Sequence, residues 1–359
     1  MGHYDLIVLT FRQPFRGREQ REGYLPSDTL WGALYATDAY LQGTPLPVEN
    51  PYRVSSAFPF VGGEWLLPKP RVSAQAPETA QAGSSDKKKA KALNYVRLQD
   101  FLSLAAGQRL EHLDEALAVQ RRALLPVAVD APLSVSDRAL KQVAQAAKRD
   151  ANQLAQEKYG AGLSELSETE KLHLLRQLRG RSANAKAERQ RNTQDRVTSQ
   201  TDTFMTSGVT QPRMAFLLET TSPEQRTRLL AALRLLADTG LGGMRTQGSG
   251  QFDFEVQTVP EELQLRLRKA DGPHILLGLT RPTAAEARAI ENDPNSRYGL
   301  IRRDGFLDGT GWQRQDVWMM TEGSLVPGPL TGTLADVAPP NHPHPVWRSG
   351  LALSLGVEA

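Results

Sequence analysis

Eleven residues, Gly240-Leu-Gly-Gly-Met-Arg-Thr-Gln-Gly-Ser-Gly250, hold five glycines and one arginine. Residues without a Cβ let backbone amides approach a sugar-phosphate chain closely. Successive N–H groups can form an anion-binding concavity, and Arg245 adds a charge that is not lost near neutral pH. The chemistry is that of gripping a phosphorylated strand, with Gly242, Gly243, Met244, Arg245, Gly248, Ser249 and Gly250 as candidate contacts. The alternative is a long turn with an ordinary C-terminal glycine cap.

The elements around these residues narrow the reading. Ser222 is a helix cap, Pro223 suits the first helical position, Gln225 completes a capping box, and Leu229, Leu233 and Leu236 form one apolar stripe. Beyond the glycines, Phe252, Phe254 and Val256 alternate with Asp253, Glu255 and Gln257 in the two-residue period of a half-buried strand. The order is helix, glycine loop, strand. Dinucleotide fingerprints and P-loops need the reverse order, with a helix N-terminus facing the phosphates, so both are excluded.

Other candidate phosphate contacts are Arg18 and Arg21 in a basic connection near the start, and Arg191, Arg196 and Arg213 farther along. Between Lys171 and Arg196 there are eight Lys or Arg against two acids, although the whole chain carries only +3. Such unevenness suits a polyanion partner, while a solvated basic face is the plain alternative for each patch. Ser27 stands at a helix start, where it reads as the N-cap and, compatibly, as an RNA contact; Asp28 reads as structural. Phe204 and Met205, expected on a turn after Arg196, could wedge between bases or simply pack. Histidines that could act as acid or base (His3, His112, His173, His274, His342, His344) fall away from both the Ser27 helix and the glycine loop.

The chain of 359 residues has room for two domains. It has no cysteine, which removes disulfides and thiolate metal sites. No apolar run approaches the length of a membrane span, and a cytoplasmic location is expected. Tyr4 to Phe11 reads as a buried strand, Pro26-Ser27-Asp28 opens a helix with Leu30, Trp31, Leu34 and Tyr35 on its apolar face, and Gly62-Gly63 separates two short strands as a hairpin. Strand, helix, strand, strand opens a ferredoxin-like fold. Residues 72–92 read as a mobile loop around Lys87 to Lys89. The region from about 100 to 195 reads as a helical insertion that carries the basic run at its end. The second half repeats the rhythm: strand His274 to Leu279, helix Thr283 to Glu291, strands Tyr298 to Arg302 and Val317 to Thr321. An irregular stretch, Val326 to Pro345, then precedes a last strand around Trp347 to Leu355.

Five segments run through the chain in the order found in a known family: Leu25-Pro-Ser-Asp-Thr-Leu-Trp-Gly-Ala-Leu34, Arg191-Asn-Thr-Gln-Asp-Arg-Val-Thr198, Gly240 to Phe252, Thr321-Glu-Gly-Ser324 and His344-Pro-Val-Trp-Arg-Ser-Gly-Leu351. On these residues the chain resembles the CRISPR-associated RAMP proteins, and in particular the guide RNA 5′-tag-binding subunit of type III-A (Csm) effector complexes. The resemblance implies an α+β fold of two ferredoxin-like (RRM-like) units, residues 1–260 with the loop and insertion inside them and residues 261–359. It also implies a subunit without catalytic residues, cofactor or metal that takes part in antiviral defence. Its partners would be the crRNA 5′ tag, the large polymerase/nuclease subunit and the backbone RAMP subunit, with target RNA met indirectly and no membrane. Carried over, the glycine loop and the start of the Ser27 helix bind the tag, and Arg191 to Thr198 lies near the guide. The alternative is a RAMP-type endoribonuclease that processes precursor crRNA.

Overall fold

The computed structural model describes residues 2–12, 24–61, 63–72, 92–108, 110, 116, 117, 120, 151–167, 170, 171, 174, 186–194, 201–209, 213–243, 245–307 and 311–358. Its first half contains β1 (His3–Phe11), α1 (Ser27–Gln42), β2 (Arg53–Val54), β3 (Phe58–Val61), β4 (Glu64–Trp65), β5 (Leu67–Pro68), β6 (Tyr95–Val96), α2 (Leu98–Ala105) and α3 (Ala151–Tyr159). It continues through β7 (Lys186–Gln194), β8 (Thr201–Val209), β9 (Arg213–Thr220), α4 (Pro223–Thr239), β10 (Phe252–Thr258) and α5 (Glu261–Leu267). The second half holds β11 (His274–Leu276), α6 (Ala284–Asn292), β12 (Leu300–Arg303), β13 (Val317–Met320), β14 (Leu325–Val326), β15 (Gly332–Asp336), β16 (Trp347–Leu351) and β17 (Ser354–Gly356).

The main sheet runs β10-β1-β9-β3-β4, with β2 also on β9. Each neighbouring pair is antiparallel. With α1 after β1 and α4 between β9 and β10, this is the strand order of a ferredoxin-like β-α-β-β-α-β unit. Both faces of the sheet are covered, which is why β1 reads as a continuous apolar run rather than an alternation. Ile7, Leu9, Met214 and Phe216 pack under Leu30, Trp31 and Leu34 of α1 and Leu229, Leu233 and Leu236 of α4. Leu6, Val8, Ala215 and Leu217 face the other way, onto Ile275, Leu277, Leu353 and Leu355 of the second half. One core therefore ties the two halves together.

In the second half, β14-β11-β17 form a three-stranded sheet, and β12–β13 and β15–β16 form separate antiparallel pairs. The expected opening of strand, helix and hairpin is present, with Thr283 and Glu286 making a reciprocal capping box at α6. Among the described residues α6 is the one helix between β11 and β17.

Four local expectations are corrected. The N-cap of α1 is Pro26, without a side-chain cap; Ser27 is the first helical residue and its hydroxyl is used elsewhere. Gln225 reaches back to the Thr221 amide instead of the Ser222 amide, while Ser222 caps α4 as expected. The basic run ends in β7, not in helix, and Phe204 and Met205 lie on β8 opposite Arg191 and Gln190 rather than on a turn. Strand pairing overrides weak local propensity there; the repeated threonines of β8 were the available sign. Finally, β15 runs through the Pro- and Gly-rich stretch, because Gly332, at φ 67°, lets the chain lie against the backbone of Gly350 and Ala352.

Candidate nucleic-acid interface

The glycine loop closes on itself at its base. Gly240 donates its N–H to the Leu236 carbonyl (2.7 Å) and ends α4, and the Leu241 N–H donates to the Gly250 carbonyl (2.9 Å). Leu241 is buried in the core below, so it anchors one arm. A Cβ on Gly250 would come within 1.9 Å of the Leu241 carbonyl oxygen, and one on Gly240 within 2.5 Å of the Ser249 oxygen. Both residues also have positive φ, 85° at Gly240 and 76° at Gly250. The absence of a Cβ at these two glycines is therefore required by the close approach of the loop's two arms.

The tip differs from the base. Gly243, Arg245 and Thr246 are exposed, while Gly242, Gly248 and Ser249 are half-buried. Residues Arg245–Gln247 make a single 3₁₀ turn, after which the Gly248 N–H returns to the Arg245 carbonyl (2.9 Å). A Cβ on Gly248 would meet nothing within 4 Å, although its φ of 76° still favours glycine. Met244 lies outside the described residues.

Sheet register brings two further arginines to the same end of the molecule. Thr10 of β1 is opposite both Arg213 of β9 and Asp253 of β10, and Phe11 is opposite Phe252. Arg12 follows directly. Its guanidinium reaches Asp238 (3.3 Å), Asp253 (3.5 Å) and the Phe252 carbonyl (3.0 Å), and its N–H donates to the Gln251 carbonyl just beyond the loop. Arg213 pairs with Glu255 (3.2 Å) and lies 5.1 Å from the centre of the Phe60 ring. These are solvent-facing ion pairs, each worth about 0–1 kcal/mol, so a phosphate can compete for the same guanidinium groups. The sequence offers Arg12 only as one of a basic patch with Arg16, Arg18 and Arg21; the register places it beside the loop. Arg18, Arg21 and Arg196 lie outside the described residues, and Arg191 is placed on β7.

Ser27 is placed differently. It is 3% exposed, its hydroxyl accepts the Leu279 N–H (2.9 Å), and its own N–H donates to the Ser56 hydroxyl (2.9 Å). Next to it, Asp28 receives two bonds from Arg303 and one from Arg348, all at 2.9 Å. The three side chains are 3–8% exposed. Ser56 also donates to Glu322, whose carboxyl is pushed up to about 7 by burial, with Asp28 adding repulsion. The start of α1 is thus a junction that joins the two halves.

The histidines are dispersed. His3 opens β1, at the strand end opposite the glycine loop. His274 is buried beside the Ser354 hydroxyl (3.0 Å), and burial with the nearby Lys269 charge lowers it to about 4. His342 and His344 stack edge to face with ring centres 4.4 Å apart; His112 and His173 lie outside the described residues. Among the described residues no His, Cys, Asp or Glu group is arranged to hold a metal, and no helix is long and apolar enough to cross a membrane.

A second surface had no sequence signal. Phe306, Trp312 and Trp318 are 61%, 44% and 61% exposed around the β12–β13 hairpin. Of these, Trp312 meets the His342 ring edge to face at 5.6 Å.

Residues 269–357 match the family described as the CRISPR Csm4 C-terminal domain. The chain is similar to the CRISPR system Cms protein Csm4 of Streptococcus thermophilus, 30% identical over 124 residues, 33% of this chain and 41% of that relative. It is also similar to the protein of the same description from Methanocaldococcus jannaschii, 29% identical over 123 residues, 32% of this chain and 31% of the relative. The matches thus span less than half of either relative. Among solved structures, a chain of the Csm3-Csm4 subcomplex in the type III-A CRISPR-Cas interference complex superposes with a TM-score of 0.54 at 16% identity, covering 99% of this chain and 100% of that one. A chain of the Csm1-Csm4 cassette in complex with cA4 superposes at 0.50 and 16% identity, over 99% and 98%. At such identity the likeness is one of fold.

Proposed function

We propose that this chain is a member of the CRISPR Csm4 family, whose C-terminal domain matches residues 269–357, and that it is a non-catalytic, RNA-binding subunit of a type III-A effector complex, holding the 5′ tag of the guide RNA in the cytoplasm. Residues 1–260 and 261–359 are taken as its two RAMP units. The observation that carries the reading is the end of the main sheet where the exposed tip of the glycine loop, Arg12 and Arg213 come together. Backbone and arginine groups on a solvent-facing surface can follow a sugar-phosphate chain, which needs charge and close approach more than an enclosed pocket.

The partners proposed are the large subunit and the backbone RAMP subunit, in keeping with the similar structures, in which Csm4 stands with Csm3 or with Csm1. Cleavage of precursor RNA is disfavoured because His274 is buried and lowered to about 4 and His3 stands at the end of β1 away from the loop.

The test is RNA retention by the assembled complex. Arg245→Ala combined with Arg12→Ala should weaken guide retention. If about five basic side chains neutralise phosphates, log affinity should fall against log salt with a slope of roughly −3.5. A flat salt response, or full guide occupancy in the double variant, would remove the loop end from the site. Specific products from repeat RNA that vanish with one His→Ala change would favour the endoribonuclease instead.

A further inference from the structure

A cleft separate from the glycine loop lies on the β3 side of the main sheet, away from β10, where β3 meets the second half. Its volume is about 890 Å³, within the range of about 300–1,000 Å³ typical of small-molecule sites. Its lining includes Lys69, Arg71, Arg297, Tyr24, Tyr298 and Thr321.

The charges are favourable for an anion. Arg71 is exposed, and among the described residues its guanidinium makes no ion pair. Arg297 is exposed too, and its guanidinium donates to the Pro294 and Ser296 carbonyls (2.6 and 2.8 Å), which leave its charge uncancelled. Lys69 is half-buried on the same lining, and burial lowers its pKa. The one carboxylate on the lining is Glu322, already bonded to Ser56.

The floor is built to close tolerances. The Arg71 N–H donates to the Gly323 carbonyl (2.7 Å), and a Cβ on Gly323, at φ 77°, would fall 2.6 Å from the Lys69 oxygen. A Cβ on Gly299 would stand 2.8 Å from both the Arg71 guanidinium carbon and the Thr321 hydroxyl. That hydroxyl is buried and lacks a hydrogen-bond partner, an uncompensated cost that a polar ligand group would remove. Tyr298, 48% exposed, offers a flat face on the rim.

Cations for phosphate, an aromatic face for a base and an unfilled hydroxyl are together the parts that recognise one nucleotide of a single strand. We propose that this cleft holds one nucleotide of the bound RNA, with its phosphate on Arg71 and Arg297, its base against Tyr298, and a polar group of base or ribose at the Thr321 hydroxyl. The inference rests on the RNA-binding function proposed above but uses a different site. A free nucleotide shares the chemistry, so the test separates the two sources.

The experiment uses the full chain in its complex, with tag-length RNA carrying 4-thiouridine, and compares wild type with Tyr298→Ala, Arg71→Ala/Arg297→Ala and Arg245→Ala. Thermal melts confirm that each variant is folded. The expected result is crosslinks at Tyr298 or residues 69–71, roughly tenfold weaker binding by Tyr298→Ala, and a salt slope reduced by about 1.4 in the double arginine variant. RNA bound normally by both cleft variants, but weakly by Arg245→Ala, overturns the cleft and leaves the loop site standing. Radiolabelled ATP that binds the cleft and is not displaced by RNA overturns the strand as occupant. A wild-type complex that holds no RNA overturns the RNA-binding function itself, and the strand occupant with it.

Discussion

The start of α1 and the end of α4 are both helix termini where polar or glycine residues meet backbone groups, and the fold uses them in opposite ways. At α1, Ser27 and Asp28 are sealed between the halves, bonded to Arg303, Arg348, the Leu279 amide and the Ser56 hydroxyl. At α4, the loop is pinched only at Gly240 and Gly250, and its tip is left in water. The difference shows that a polar helix start is not a ligand site until something leaves it accessible. Burial decides, since a carboxylate shared by two guanidinium groups in a dry junction has no valence left for RNA.

The largest effect expected from breaking the sealed end is that of Asp28→Ala. It strands two buried guanidinium groups and should destabilise the protein by about 3–5 kcal/mol in chemical denaturation. A fully stable variant that lost only RNA affinity would mean that the two ends had been assigned the wrong way round. At the loop, Gly250→Ala puts a Cβ into the Leu241 carbonyl at a positive φ, and a cost of about 1–3 kcal/mol is expected. A melt unchanged from wild type would show that the base is not pinched.

The pH response sharpens the contrast further. Glu322, beside the sealed end, has a folded pKa of about 7, raised above the ordinary 4.5. The folded state then holds the extra proton between those values. Stability from this group is complete below pH 4.5 and declines as pH rises to about 7, by at most about 1.4 kcal/mol per unit. His274, lowered to about 4, works in the opposite direction: stability rises from pH 4 to 6.5 as the unfolded chain loses the proton that the folded one never took up. The two partly cancel, so the measurement is the difference between wild type and Glu322→Gln across pH 4.5–7; parallel curves would contradict the raised pKa. The smallest effect on stability belongs to Arg245→Ala, within about 0.5 kcal/mol on an exposed tip, while its RNA salt slope should become shallower by about 0.7. A large loss of stability there would make the tip structural.

Much of the first unit was legible from local pattern. The apolar run of β1, the stripe of α4 with its Ser222 and Pro223 start, the alternation of β10 and the Gly62-Gly63 hairpin are all set by near neighbours, so their types emerge from spacing alone. The strands β7, β8 and β15 were not legible, because their pairing partners supply what their own residues lack. Of the candidate site, the existence of a glycine-rich helix-to-strand loop could be read, but not which glycines touch chain and which face water. The sequence counted Arg12 only as part of a basic patch, without its place beside the loop, and the cleft around Arg71 and Arg297 was invisible, since its residues come from segments far apart in sequence.

By itself, then, the chain's sequence determined an α+β architecture, the helix–loop–strand order that rules out a P-loop, and a supply of basic residues in two stretches. Only the tertiary structure decided that Ser27 is sealed, that Gly240 and Gly250 pack against the backbone of Ser249 and Leu241, and that Arg12 and Arg213 share one end of the sheet. The physical reason is that propensity and periodicity act over a few residues, whereas access to water and the sharing of charges depend on which distant segments the core brings into contact.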